Sequence, residues 1–428
     1  MGDDVRADPL EDLSDDLLDP TASADPFPVF AALRERDPVH FSEAHQAWLL
    51  TRYDHVSAAF QNKAFSSDRV KPLLQSGADG SYESAPGTRE RSRSSRSEAS
   101  KKLLALMADW MVVSDPPEHT RLRKLASGAF KSQRISAMDR RITELVDELL
   151  DDFVVKPGPK DLIEGLAYPL PATVIAAMLG APLTDRDRFR EWSDELALVA
   201  FGAGGDDRQE RHERALRGLD EMAAYFQDLV AVRRADPGDD MLSELLAPTD
   251  GDRLDDTEIV GMCALLLFAG HETTTNSIAN SVHTLLKHPE QLARLRADPG
   301  LISHGVEELL RFDGPIKVLN RWVVADTEVG GRAIRTGERV HLVLGGANRD
   351  PAKFTRPDEL DLSRQPNQHV AFGRGIHACI GAQLARLETR VAVGRIVKRL
   401  PGLALAEEPT WRDILASRSM HRLVVTHD

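Results

Sequence analysis

The segment Phe372-Gly373-Arg374-Gly375-Ile376-His377-Ala378-Cys379-Ile380-Gly381 runs from a turn into a helix and holds one of the chain's two cysteines. Gly373 and Gly375 permit backbone angles that other residues resist, which predicts a sharp turn. From Gly381 the run Ala382-Gln-Leu-Ala-Arg-Leu-Glu-Thr-Arg-Val-Ala-Val393 has the period of an amphipathic helix. Cys379 is thereby placed at a helix N-terminus, where free N–H groups and the dipole favour an anion. A thiolate is stabilised there and can ligate a metal.

The segment resembles the haem-binding loop of the cytochrome P450 family, Phe-Gly-x-Gly-x-His-x-Cys-x-Gly, and matches every fixed position. The resemblance implies a mainly α fold with small β sheets, the P450 fold, with haem between a long central helix and the helix after the cysteine. Cys379 would be the axial thiolate of haem b (iron protoporphyrin IX), a ligand that pushes electron density onto iron and favours O–O cleavage. Phe372, His377 and Gly381 would line the cofactor on the same side, and backbone N–H groups around the sulfur would temper its push.

Further stretches arrive in the order the family has them. In Asp115-Pro116-Pro117-Glu118-His119-Thr120-Arg121-Leu122-Arg123, two prolines and an acid mark a helix start. His119 and Arg123 are four apart and share a helical face. By resemblance they hold a haem propionate, to which Arg is suited as a bidentate donor. Thr257–Lys287 reads as one long helix, apolar on most faces and therefore buried. Inside it, Ala269-Gly270-His271-Glu272-Thr273-Thr274 is a poor choice for a helix core. Thr273 can bond the carbonyl of Ala269 one turn back, loosening the helix beside Gly270. The stretch resembles the family's Ala-Gly-x-Asp/Glu-Thr-Thr motif. Thr273 would organise hydrogen bonds at dioxygen, Glu272 would relay protons, and Ala269 would lie against the cofactor. A zinc-protease reading of His271-Glu272 fails, because the next required histidine position is Thr275.

Glu308 and Arg311 resemble the family's Glu-x-x-Arg pair, closed into a buried network by the segment Phe354–Arg364 with Arg356 as expected third member. Ile316–Arg321 reads as extended, and Arg321 would reach the other propionate together with His377. The expected substrate pocket is Leu265, Leu266, Ala269, Ile316, Val318 and Met420, which is apolar and fits a medium-to-large organic molecule. Residues 75–100 and the Ala-Phe-Gly-Ala-Gly-Gly break within 196–207 are expected as substrate-entrance loop and lid. Residues 1–24, acidic and proline-containing, are expected as a flexible tail before one domain over 25–428. Length alone would suggest about three domains, but the motifs from 115 to 390 form one site that such a split would cut.

Net charge is −14, which argues against a nucleic-acid binder. Two distant cysteines, Cys263 and Cys379, offer neither a disulfide framework nor a Cys-x-x-Cys zinc site, as in a reducing cytosol. No apolar run approaches the ~20 residues of a membrane span. The expectation is a monomeric, cytoplasmic, bacterial-type haem-thiolate monooxygenase that inserts one oxygen atom of O2 into a C–H bond. Electrons would come from NAD(P)H through a separate ferredoxin and ferredoxin reductase, or a flavodoxin, docking on a face with Arg121, Arg386 and Arg390. A peroxide-driven peroxygenase and a non-enzymatic haem-thiolate sensor remain the alternatives.

Overall fold

The computed structural model describes residues 16–71, 98–155, 157–204, 207–248 and 250–427. The first fifteen residues of the expected tail, and residues 72–97 of the expected entrance loop, lie outside them. In chain order the α-helices are α1 (Pro20–Ala24), α2 (Phe27–Arg36), α3 (Tyr53–Ala59), α4 (Glu98–Met107), α5 (Glu118–Ser127), α6 (Ser132–Ala137), α7 (Asp139–Val154) and α8 (Pro169–Met178). They continue with α9 (Arg186–Ala200), α10 (Arg208–Ala235), α11 (Met241–Leu246), α12 (Asp256–Lys287), α13 (Pro289–Ala297), α14 (Ile302–Asp313), α15 (Leu344–Ala347) and α16 (Ala382–Arg399).

The long helix α12 begins where local chemistry says it should. Asp255 accepts from Glu258 N at 2.9 Å, and the Glu258 carboxylate accepts from Asp255 N at 2.8 Å. This reciprocal cap satisfies two otherwise orphaned donors. Most of α12 is buried, from Ile259 through Leu285, as an all-round apolar helix must be. The largest hydrophobic cluster surrounds it and draws in α7, where Ile142, Leu145, Val146 and Leu150 form a buried stripe at helical spacing. Ser277 Oγ and Thr389 Oγ1, 3.1 Å apart, tie α12 to α16.

A five-stranded sheet lies to one side, in the order β1 (Val39–Ser42), β2 (Ala47–Leu50), β8 (Arg339–Val343), β5 (Val318–Val323), β3 (Phe65–Ser66). β2 and β8 run parallel and the other pairs antiparallel. β4 (Lys160–Asp161), β10 (Val424–Thr426) and β9 (Ala404–Leu405) make a second sheet, and β6 (Thr327–Val329) with β7 (Arg332–Ile334) is a hairpin turning at Gly330-Gly331.

Residues 16–24 differ from the expected flexible tail. Leu17 and Ala22 are buried in a cluster with Phe30, Leu33, Leu49, Val343 and Leu415, and Leu17 N donates to His45 Nε2 at 2.9 Å. The acidic composition of the whole terminus masks two apolar residues that gain by burial. Likewise Glu98–Ser100, counted with the entrance loop, begin α4.

Candidate active site

The cysteine loop takes the shape its glycines allow. Gly373 and Gly375 have φ of +66° and +70°. A Cβ on Gly375 would also sit 2.8 Å from the Phe60 carbonyl oxygen, so a side chain is excluded there twice over. A short 3-10 turn, Gly375–His377, leads to Cys379, and Gly381 caps α16. Cys379 N donates to Phe372 O at 2.9 Å, Arg123 Nη2 donates to Ala378 O at 2.7 Å, and Arg386 covers the Phe372 ring at 4.3 Å.

Cys379 is crowded and accessible at once. Burial is the largest influence on its thiol and pushes the pKa up, against the Gly381 N–H, Arg123 and Arg386, which favour thiolate. Yet the residue is exposed. Both hold for a group lining an internal hollow, where protein crowds from behind and the sulfur faces open space.

Around that hollow stand cationic and donor groups that outnumber the carboxylate acting on them, Asp115. His119 is 1% exposed, and neither ring nitrogen has a partner. Its ring lies 4.0 Å from that of His377, whose Nε2 is also unpartnered. Burial first, then His119, Arg321, Arg123 and Arg69, hold the His377 pKa down at about 3. Arg321 is buried and, among the described residues, bonds only the Asn320 carbonyl, at 2.8 Å. Its pKa is pushed down to about 10 by burial and then by Arg69, with Asp115 opposing. Unpaired buried cations are costly. A dianionic porphyrin carrying two propionates, bonded to a thiolate, suits this donor set. His119, Arg123, Arg321 and His377 stand together in the fold. Arg69 joins them; no motif signalled it.

The network behind the loop contains one correction. Glu308, fully buried, receives Arg311 Nε at 2.7 Å and Nη2 at 2.8 Å, Arg364 Nε at 3.0 Å, Asp361 N at 3.0 Å and Asn367 Nδ2 at 3.1 Å. The third member is thus Arg364, not Arg356. Arg356 is exposed and pairs with Glu359 at 2.8 Å; only its backbone carbonyl enters, accepting from Arg364 Nη2 at 3.1 Å. Both arginines flank the same turn, and only the one pointing inward can neutralise Glu308.

Glu307 performs a second tie, with His369 Nε2 at 3.0 Å and Arg386 Nε at 2.6 Å. Burial pushes its pKa up, but the bonds from His369 and Arg386 outweigh that and hold it at about 2. A carboxylate depressed this way contributes stability above its unfolded pKa, 4.5, that is lost as pH falls towards 2. In acid titrations followed by circular dichroism, wild type should lose stability steeply across that window. Glu307→Gln should lack this part of the slope, by on the order of 3 kcal/mol.

In α12, Thr273 Oγ1 donates to Ala269 O at 3.0 Å and Thr274 Oγ1 to Gly270 O at 3.1 Å. Glu272 is half-buried and accepts from Asn276 Nδ2 at 3.1 Å. His271 is wholly buried, bonded to Leu267 O at 2.8 Å. Leu265, Leu266 and Met420 are buried in the cluster around α12, with Ala269 at its edge. Ile316 sits on the rim of the β-sheet cluster. Val318 corrects the pocket: it packs with Leu17, Phe30 and its register partner Val343. Strand alternation puts Leu319, not Val318, on the face of Arg321.

The expected cationic docking face is also corrected. Arg121 is paired with Glu258 at 2.6 Å, Glu118 at 2.9 Å and Asp252 at 3.2 Å; Arg386 is held by Glu307; Arg390 meets Asp139 at 2.7 Å. Helix packing has neutralised all three. Among the described residues no helix is long and apolar enough to cross a membrane.

Comparison with known proteins agrees with this geometry. The family model described as Cytochrome P450 matches residues 87–299 and 301–407. Cytochrome P450 monooxygenase PikC of Streptomyces venezuelae is 40% identical over 397 residues, covering 90% of this chain and 86% of that protein. Vitamin D(3) 25-hydroxylase of Pseudonocardia autotrophica is 40% identical over 419 residues, covering 96% of each. The crystal structure of P450BioI in complex with hexadec-9Z-enoic acid ligated acyl carrier protein superposes with a TM-score of 0.86 at 33% identity, covering 96% of this chain and 99% of that one. With this coverage and a cysteine loop facing an anion-poor hollow, the chain belongs to the cytochrome P450 family and is a haem-thiolate monooxygenase.

Proposed function

We propose that this monooxygenase hydroxylates or epoxidises an apolar organic molecule of medium to large size in the bacterial cytoplasm. Electrons pass from NAD(P)H through a separate ferredoxin and its reductase. Cys379, an exposed cysteine in a matching loop with the Gly381 N–H directed at its sulfur, carries the reading. Haem, once bound there, supplies dioxygen binding and O–O cleavage.

The chain's own residues supply holding, orientation and protons. His119, Arg123, Arg321 and His377 would hold the propionates, which would offset the burial cost of these side chains. Leu265, Leu266, Ala269, Ile316, Leu319 and Met420 exclude water and present the substrate carbon. Glu272, anchored by Asn276, takes protons from solvent and passes them towards Thr273. Thr273, whose own proton is spent on Ala269 O, leaves its oxygen lone pairs to accept and hold a water on the dioxygen side.

The test is product formation from a screened substrate with reduced ferredoxin and O2, after substrates are found by their shift of the haem spin state. Thr273→Ala should keep haem and its spectrum while the share of consumed O2 that appears as product drops on the order of a hundredfold, the low end of what one positioned proton-transfer group contributes. Unchanged coupling in that variant would remove Thr273 from the proton path.

A further inference from the structure

Just ahead of β5 the fold closes a small chamber that the mechanism leaves unused. It is a cavity of about 10 Å³ walled in part by Phe27 of α2, Phe312 and Asp313 of α14, and Gly345 of α15. Lys317 also lines it, and its backbone is pinned on both sides. Its N–H donates to Ala416 O at 2.8 Å, and its carbonyl accepts from Gly345 N at 3.2 Å. The residue is 3% exposed, so the long side chain stays inside. Gly345 keeps the wall close: a Cβ there would meet Phe30 Cε2 at 2.8 Å and lie 3.7 Å from Lys317 Cβ.

Arg311, Lys317 and Arg418 are the cations of this wall, and two of them are already matched. Arg311 Nε pairs with Glu308 Oε2 at 2.7 Å, and Arg418 Nε with Asp313 Oδ1 at 3.2 Å. Arg418 Nη1 is engaged by Ser23 O at 2.6 Å. Among the described residues the Lys317 ammonium has no ion pair and no hydrogen bond. A buried ammonium without a counter-charge is costly. Burial first, and then Arg418, push its pKa down to about 7, with Asp313 and Asp413 opposing.

The guest that suits this chamber is fixed by size and sign. The space admits about one water-sized particle. A water would offer lone pairs and no charge, whereas a carboxylate or an oxyanion is too large. A spherical monovalent anion meets both demands. We propose that the chamber is a halide site, in which chloride sits against the Lys317 ammonium and completes the charge balance of the wall. The ion joins segments remote in sequence: α2, the end of α14, the approach to β5 and the segment around Arg418. It braces from behind the two stretches that carry Ile316 and Met420. The proposal depends neither on haem chemistry nor on the substrate reading.

The experiment uses the haem-loaded, full-length protein. Thermal melting is followed in sodium chloride and in sodium gluconate at equal ionic strength, for wild type and for Lys317→Met. Chloride at about ten times its dissociation constant should raise the wild-type midpoint by about 2 °C, as binding to the folded state alone requires for a chain of this size. Lys317→Met, which fills the same space with an apolar chain, should melt alike in both salts. Crystals soaked in sodium bromide should show an anomalous peak in the chamber of wild type and none in Lys317→Met. An ordered water without anomalous signal in bromide-soaked wild type overturns the proposal, as does an equal chloride response in Lys317→Met. Should that variant fail to fold, the bromide peak in wild type decides alone.

Discussion

Cys379→Ser is expected to abolish the long-wavelength absorption band of the reduced, carbon-monoxide-treated protein and to cut oxygenation at least about a thousandfold, or ~4 kcal/mol of barrier. The serine oxygen keeps the size and the Gly381 N–H contact, so the loop should fold as before. What it lacks is a polarisable anion at neutral pH, and with it the electron release that favours O–O cleavage. Haem content measured on the same sample separates loss of the ligand from loss of the fold. If the band survived the substitution, Cys379 would not be the iron ligand, and the monooxygenase mechanism set out above would have no anchor.

The second large effect is structural. Glu308→Gln leaves the Arg311 and Arg364 guanidinium groups inside the protein with no counter-charge, because Glu308 and Arg311 are both without solvent exposure. Removing one member of a buried ion pair costs about 3–5 kcal/mol, a large share of the roughly 5–15 kcal/mol that holds a domain together. We expect a variant that melts far below wild type and copurifies with little haem, since the same carboxylate fixes Asp361 N and Asn367 just ahead of the cysteine loop. Arg364→Ala should approach this severity, while Arg356→Ala should stay within about 0.5 kcal/mol, as surface changes do. Thermal melts of the two arginine variants decide the matter: equal losses would return Arg356 to the network.

The difference between those arginines shows what was legible in the chain and what was not. Cys379, Thr273 and Glu308 lie in stretches that match the P450 family's motifs, and the expected fold came from that resemblance and the order of the motifs. Choosing between Arg356 and Arg364 needed the path of a turn with no regular period, and spacing carries no record of which side chain points inward. Val318 misled for a related reason. Its apolar character fits either face of β5, and only the cover supplied by α2 and Leu17 shows which face is core. Arg121, Arg386 and Arg390 looked free because their partners, Glu258, Glu307 and Asp139, are remote in sequence. Arg69 belongs to the same class: its place beside His377 and Arg321 exists only after helices and loops are brought together.

The beginning of the chain has reach beyond its own cluster. The Ser23 carbonyl accepts from Arg418 Nη1 at 2.6 Å. Arg418 in turn lies flat on Trp411 at 3.2 Å, touches Asp313 at 3.2 Å, and offers its carbonyl to Asn280 of α12 at 2.9 Å. Two residues further on is Met420. A shortened version starting after Ala24, an obvious choice for expression work, would deprive an enclosed guanidinium of its acceptor and disturb the segment that carries Met420, proposed above to meet the substrate. Selectivity, and not merely solubility, would then depend on where an experimenter cuts.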